Sequence, residues 1–173
     1  MKTRVMSSIA IGVILLVVLL CGGYVMAAVL LMLSLIAYFE LMRATGVHQA
    51  EKKCSGIEMA GYIGIVFHYG LMLFMGKDIR FFGLSILFVF FAVMIVYVLT
   101  FPKYQAQQAM AAIFSFLYAP VMLSFVYLLR IGKYGEYIVW VPFVAWICDT
   151  CAYLAGRAFG KHKLCPKLSP KKR

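Results

Sequence analysis

The sequence predicts an all-α, polytopic membrane protein with about six transmembrane helices, and three observations predict it. Of its 173 residues 65% are hydrophobic and 13% charged, and the mean hydropathy is +0.95, a balance that does not suit a water-exposed surface. The apolar residues gather into six runs, each about long enough to cross a hydrocarbon core of ~30 Å as a helix. The cations sit in short clusters between those runs rather than along a solvated face, so the net charge of +11 points to anionic lipid headgroups or a phosphorylated substrate and not to nucleic acid.

Lys2 and Arg4 precede the first run, Val5 to Leu20, and Cys21-Gly22-Gly23 follows. Such an opening looks like a secretory signal, but Leu20 is too large for the residue before a processing site. A second run, Tyr24 to Met42, also begins at once. An uncleaved helical hairpin turning at Gly22 and Gly23 is the expectation. A polar stretch with His48, Glu51, Lys52, Lys53 and Glu58 leads to the third run, Met59 to Met75, the weakest of the six because it contains His68 and three glycines. Phe81 to Leu99 is the fourth. Pro102, Lys103 and a glutamine-containing segment precede the fifth, Ala109 to Leu129, which Pro120 interrupts. A mid-span proline frees a backbone carbonyl, so a kink is expected there. Tyr137 to about Phe159 is the last.

Lysine and arginine set the orientation. With a cytoplasmic N-terminus, thirteen of the 17 cations lie on the cytoplasmic side, and only Lys77, Arg80, Arg130 and Lys133 on the other. Both termini are therefore expected in the cytoplasm, with Tyr134, Tyr137 and Trp140 in the outer aromatic belt. Residues 1–108 form an N-terminal region of about four spans; residues 109–173 form a middle region of two spans with a basic cytoplasmic motif.

Chemistry concentrates in Asp149 to Arg173. On a helix, Ala145, Asp149, Ala152, Tyr153, Gly156 and Gly160 share one small, polar face, whereas Trp146, Ile147, Leu154 and Phe159 are large and apolar. A lone carboxylate inside a span is costly, so Asp149 should be protonated, paired with Arg157 or Tyr153, or bound to a metal. Gly156 and Gly160 suit close helix packing, hence a homo-oligomer, and also leave room for a ligand. The lysines of the tail, Lys161, Lys163, Lys167, Lys171 and Lys172, are either a topology determinant held by anionic headgroups or a phosphate-binding loop. Pro166 and Pro170 fix the backbone between them.

Five cysteines, with Cys148 and Cys151 in a CxxC that lacks a second pair, read as ordinary buried thiols. His48, His68 and His162 do not cluster with carboxylates in the sequence. Glu40 and Arg43 have the spacing of an i,i+3 pair at a helix end.

The stretch Asp149-Thr-Cys-Ala-Tyr-Leu-Ala-Gly-Arg-Ala-Phe-Gly-Lys-His-Lys-Leu-Cys-Pro-Lys-Leu-Ser-Pro-Lys-Lys resembles the DxxAYxxGRxFGKHKLxPxxSPKK region of bacterial phosphatidate cytidylyltransferases, the CDP-diacylglycerol synthases. Weaker similarity runs upstream through Trp146, Pro120, Pro102 and Glu40. The resemblance implies transfer of a cytidylyl group from CTP to phosphatidic acid, with Mg2+ as the divalent metal, in phospholipid biosynthesis at the plasma membrane of a bacterium, the active side cytoplasmic. It implies catalytic roles for Asp149, also a metal ligand, and for Tyr153 as a positioning group. Phosphate contacts fall to Lys161, Lys163, Lys167, Lys171 and Lys172, with Ser169 as a hydrogen-bond donor. In the family SPKK is followed by Thr-x-Glu-Gly and further spans; here Arg173 follows. The expectation is a truncated family member, its N-terminal and middle parts present and the C-terminal catalytic domain absent. Two alternatives are a non-catalytic membrane fragment or partner subunit that binds lipid, and a small ion-coupled transporter, which should show polar residues on several spans and an internal repeat.

Overall fold

Two consecutive glycines with positive φ, Gly22 at 59° and Gly23 at 49°, reverse the chain between its first two helices. A side chain at either would be strained there, so the hairpin turns where the sequence places it. The computed structural model describes residues 2–48, 54–75, 79–135, 137 and 140–159. Among them every regular element is helical: α1 (Lys2–Cys21), α2 (Gly23–Ala44), α3 (Gly56–Met75), α4 (Ile79–Leu99), α5 (Ala106–Phe116), a π-turn (Leu117–Val121), α6 (Met122–Ile131) and α7 (Trp140–Phe159). Four stretches, Gly23–Ala44, Gly56–Met75, Arg80–Leu99 and Ala106–Ile131, are long and apolar enough to cross a membrane. The other two expected spans fall on α1 and α7; in α1 Gly12–Cys21 is a shorter apolar stretch, and α7 is not among the four. The protein is an all-α, polytopic membrane protein. The chain divides into two compact units, Met1–Gly135 and Glu136–Arg173.

In the first unit α3 is the central helix, packed on α2, α4 and α5. Its glycines, which weaken its apolar signal, explain that position. A Cβ on Gly61 would collide with the Tyr38 ring of α2, and one on Gly64 with Val89 of α4. Small residues let neighbouring helices close up where no water is present to drive them together. The core around this helix includes Met26, Met42, Ile57, Ile65, Val93 and Phe116. Large apolar side chains such as Ile36, Phe74, Phe91, Leu99, Phe114 and Leu129 point outward, which in water would be an oversized exposed patch and in lipid is the ordinary surface.

Pro120 lies inside the π-turn that separates α5 from α6. Prolyl nitrogen cannot donate to the carbonyl four residues back, and a wider turn lets that carbonyl reach the next amide. Helix α5 opens with a reciprocal cap: Gln105 N–H donates to Gln108 Oε1 at 3.0 Å, and the Gln105 side chain meets the Gln108 backbone.

Contacts at the two ends of this unit fix the alternation of its helices. At one end Arg130, at the close of α6, donates from Nε to the Leu19 carbonyl in the last turn of α1, at 2.9 Å. A cation there complements the α1 dipole and satisfies an orphan carbonyl. At the other end Tyr104, between α4 and α5, accepts the Gly56 N–H at the start of α3 at 2.9 Å.

The second unit contains α7, with Pro142 in its first turn, where a missing N–H costs nothing. Trp140, Val141, Val144, Ile147 and Leu154 are exposed on it.

Candidate functional site

The acidic residue on which the sequence concentrates, Asp149, is exposed on α7, and so are its neighbours Cys148, Thr150, Cys151 and Ala152. Asp149 forms no hydrogen bond or ion pair with the described residues of its own helix. Tyr153 lies one turn further on in the same helix, so the two share a face as the 3.6-residue period requires; the Tyr153 and Arg157 side chains are outside the described residues. Outside them too are Gly160, Lys161, His162, Lys163, Cys165, Lys167, Ser169, Lys171 and Lys172. The structure therefore brings Asp149 and Tyr153 onto one helix and leaves the lysine contacts as an expectation.

As a metal ligand Asp149 offers one hard oxygen donor group. Magnesium suits it chemically, because that ion takes one or two carboxylates and completes its shell with water and substrate phosphate. No three His, Cys, Asp or Glu side chains converge among the described residues. Cys21, Cys54, Cys148 and Cys151 are free thiols. They are exposed, which corrects the expectation of buried ones: Cys148 and Cys151 lie on α7 beside Asp149, and Cys21 and Cys54 flank helix ends.

A second polar centre, in the first unit, escaped the sequence reading. Gly46, at φ 72°, ends α2, and the N–H groups of Val47 and His48 both reach the Met42 carbonyl at 3.0 Å, a left-handed C-terminal cap. That cap returns His48 over the helix end, where its ring meets Phe39 edge-on with centroids 4.9 Å apart. His48 Nδ1 lies 2.9 Å from Glu58 Oε1. The other carboxylate oxygen, Oε2, accepts the Ser55 N–H at 2.6 Å, while Glu58 N–H reaches Ser55 Oγ at 3.3 Å. Ser55 and Glu58 thus form a capping box on α3.

Glu58 is 1% exposed, although the sequence assigned it to a polar loop. Its burial is tolerated because both oxygens are satisfied. The fold brings His48 to a carboxylate ten positions away in sequence, a pairing that sequence spacing does not reveal. Glu40 and Arg43, the expected pair, are both exposed and form no ion pair with each other. An exposed pair gains too little to hold two long side chains together.

Deeper in the same unit, polar side chains from several helices are buried: Ser34 on α2, His68 and Tyr69 on α3, Ser85 on α4, Ser115 on α5 and Ser124 on α6. Ser34 Oγ and Tyr69 Oη are 2.8 Å apart, and His68 Nδ1 and Ser85 Oγ 2.6 Å apart. Buried polar side chains on several spans are one of the two features that the transporter alternative calls for.

The model of the cytidylyltransferase family matches residues 2–173. The chain is 30% identical over 179 residues to a phosphatidate cytidylyltransferase of Staphylococcus saprophyticus subsp. saprophyticus, covering 99% of the chain and 64% of that protein. It is 29% identical over 178 residues to one of Staphylococcus aureus and 28% identical over 179 residues to one of Staphylococcus epidermidis, with the same coverage. The chain spans 64% of the length of these curated relatives. No solved structure matches it.

Proposed function

The chain belongs to the cytidylyltransferase family, and on that premise we propose that it acts in transferring a cytidylyl group from CTP to phosphatidic acid. The match along the whole chain to proteins named phosphatidate cytidylyltransferase is the observation that carries this reading. In the proposed reaction a phosphate oxygen of phosphatidic acid attacks the α-phosphorus of CTP. The bond to the β-phosphate bridging oxygen breaks, and CDP-diacylglycerol and pyrophosphate result.

A reaction between polyanions is governed by positioning and charge neutralisation more than by proton transfer. Asp149 serves it by holding a divalent cation, Mg2+ in this proposal, which supplies charge neutralisation at the phosphates. Tyr153, on the same helix face, positions the lipid phosphate. Lys161, Lys163, Lys167, Lys171 and Lys172 neutralise the nucleotide phosphates, and Ser169 donates a hydrogen bond to them. Apolar helices keep the acyl chains in the bilayer, and the cationic segment meets CTP on the cytoplasmic side.

The test is formation of CDP-diacylglycerol and pyrophosphate from CTP and phosphatidic acid by membranes carrying the protein as its own gene encodes it. Absence of product with the protein present in the membrane overturns the reading in favour of a non-catalytic lipid-binding protein. The buried polar residues on α2, α3, α4, α5 and α6 favour a second reading, a small ion-coupled transporter; CTP-dependent product formation would exclude it as the sole activity.

Orientation is tested at Cys54, an exposed free thiol at the same end of the first unit as the His48–Glu58 pair. A membrane-impermeant maleimide is expected to label it from the cytoplasmic face. Labelling only from outside would reverse the proposed topology and take the active side with it.

A further inference from the structure

We infer that the core of the first unit binds an ordered water molecule between His68 on α3 and Ser115 on α5, a site independent of the proposed reaction. The argument begins with the single proton of Ser85. Its Oγ lies 2.7 Å from the Phe82 carbonyl, which can only accept, so the hydroxyl proton points there. His68 Nδ1, 2.6 Å from the same Oγ, must then be the donor. Donor accounting thus fixes the tautomer: Nδ1 carries the hydrogen and Nε2 of the neutral ring carries a lone pair.

That lone pair has no partner among the described residues, and His68 is 1% exposed. Aromatic edges surround the ring, with Tyr69, Phe82 and Phe116 at centroid distances of 5.6, 5.0 and 5.8 Å. A charged ring would place an uncompensated cation against those walls. A neutral acceptor in such a place needs a small donor.

Ser115 supplies the complementary need. It precedes Phe116 in α5, is fully buried, and its hydroxyl also has no partner among the described residues. Helices α3 and α5 pack together, and the ring of Phe116 touches the ring of His68. One water donating to Nε2 and accepting the Ser115 proton satisfies both, in the way buried waters commonly pair otherwise unmet polar atoms. The π-turn starting at Leu117 places the site beside a helix interruption, where ordered water in membrane helices is expected.

Solid-state NMR on the full chain in lipid bilayers, with 15N-labelled histidine, tests this directly. The chain has three histidines; the signals lost in His48→Gln and in His162→Gln belong to those residues, and the remaining set is that of His68. The expected result is a protonated Nδ1, a bare Nε2 and a cross-peak from Nε2 to water, with loss of that cross-peak in Ser115→Ala while the tautomer stays. A bare Nδ1, a protonated Nε2 or no water contact overturns the inference. A water cross-peak undiminished in Ser115→Ala overturns the bridge.

Discussion

Two carboxylates, Glu58 and Asp149, sit in opposite settings in this membrane protein. Glu58 is buried and finished: one oxygen takes His48, the other the Ser55 N–H, and the result is a helix start pinned to the end of the preceding helix. Asp149 is exposed on α7 and has no partner among the described residues of its own helix. The contrast teaches that depth in an apolar stretch does not tell which acid is structural. What matters is whether the local backbone can consume both oxygens. A capping box does so; the middle of a helix, whose N–H groups are already spent on carbonyls, does not.

The strongest way to break this division is Asp149→Asn. If Asp149 serves the substrate or its metal, the substitution lowers CDP-diacylglycerol formation on the order of 100-fold, the magnitude seen when one preorganised electrostatic group is lost at a reacting centre. Membrane insertion and helix content, read by fractionation and circular dichroism, should be unchanged, because the side chain is not part of the described packing. Full activity in this variant would leave Asp149 as a structural acid and end the comparison.

Much of the fold could be read from the sequence because membrane helices announce themselves through long apolar runs. The Gly22-Gly23 turn and the helix irregularity at Pro120 were also legible, each resting on a local backbone property that needs no knowledge of neighbours. Helix α3 was harder to read, since Gly61 and Gly64 lower its apolar character for the same reason that makes it central: two other helices close onto it. Glu58 was misassigned although Ser55-x-x-Glu58 directly before an apolar run is a legible capping signature. Its burial and its partner His48 depend on the left-handed turn at Gly46, a tertiary outcome. The lysine-rich part of the expected site remains a sequence statement, its residues lying outside those the structure describes.

A smaller effect, on stability rather than turnover, sharpens the other half of the contrast. Glu58→Ala keeps the Ser55 Oγ bond to the residue-58 N–H but removes the carboxylate half of the capping box and strands both the Ser55 N–H and the His48 ring, so unfolding in detergent should become easier by about 2 kcal/mol, from two unmet part-buried groups. Glu58→Gln keeps a carbonyl oxygen for Ser55 and presents an amide that can donate to a neutral His48, so its cost should stay within about 1 kcal/mol, near the net worth of one hydrogen bond. Activity per folded molecule should be the same in both variants, because neither touches the groups assigned to the phosphates. Equal stability of the alanine and glutamine forms would deny Glu58 its structural role. A fall in turnover without any fall in stability would move Glu58, and His48 with it, into the reacting site.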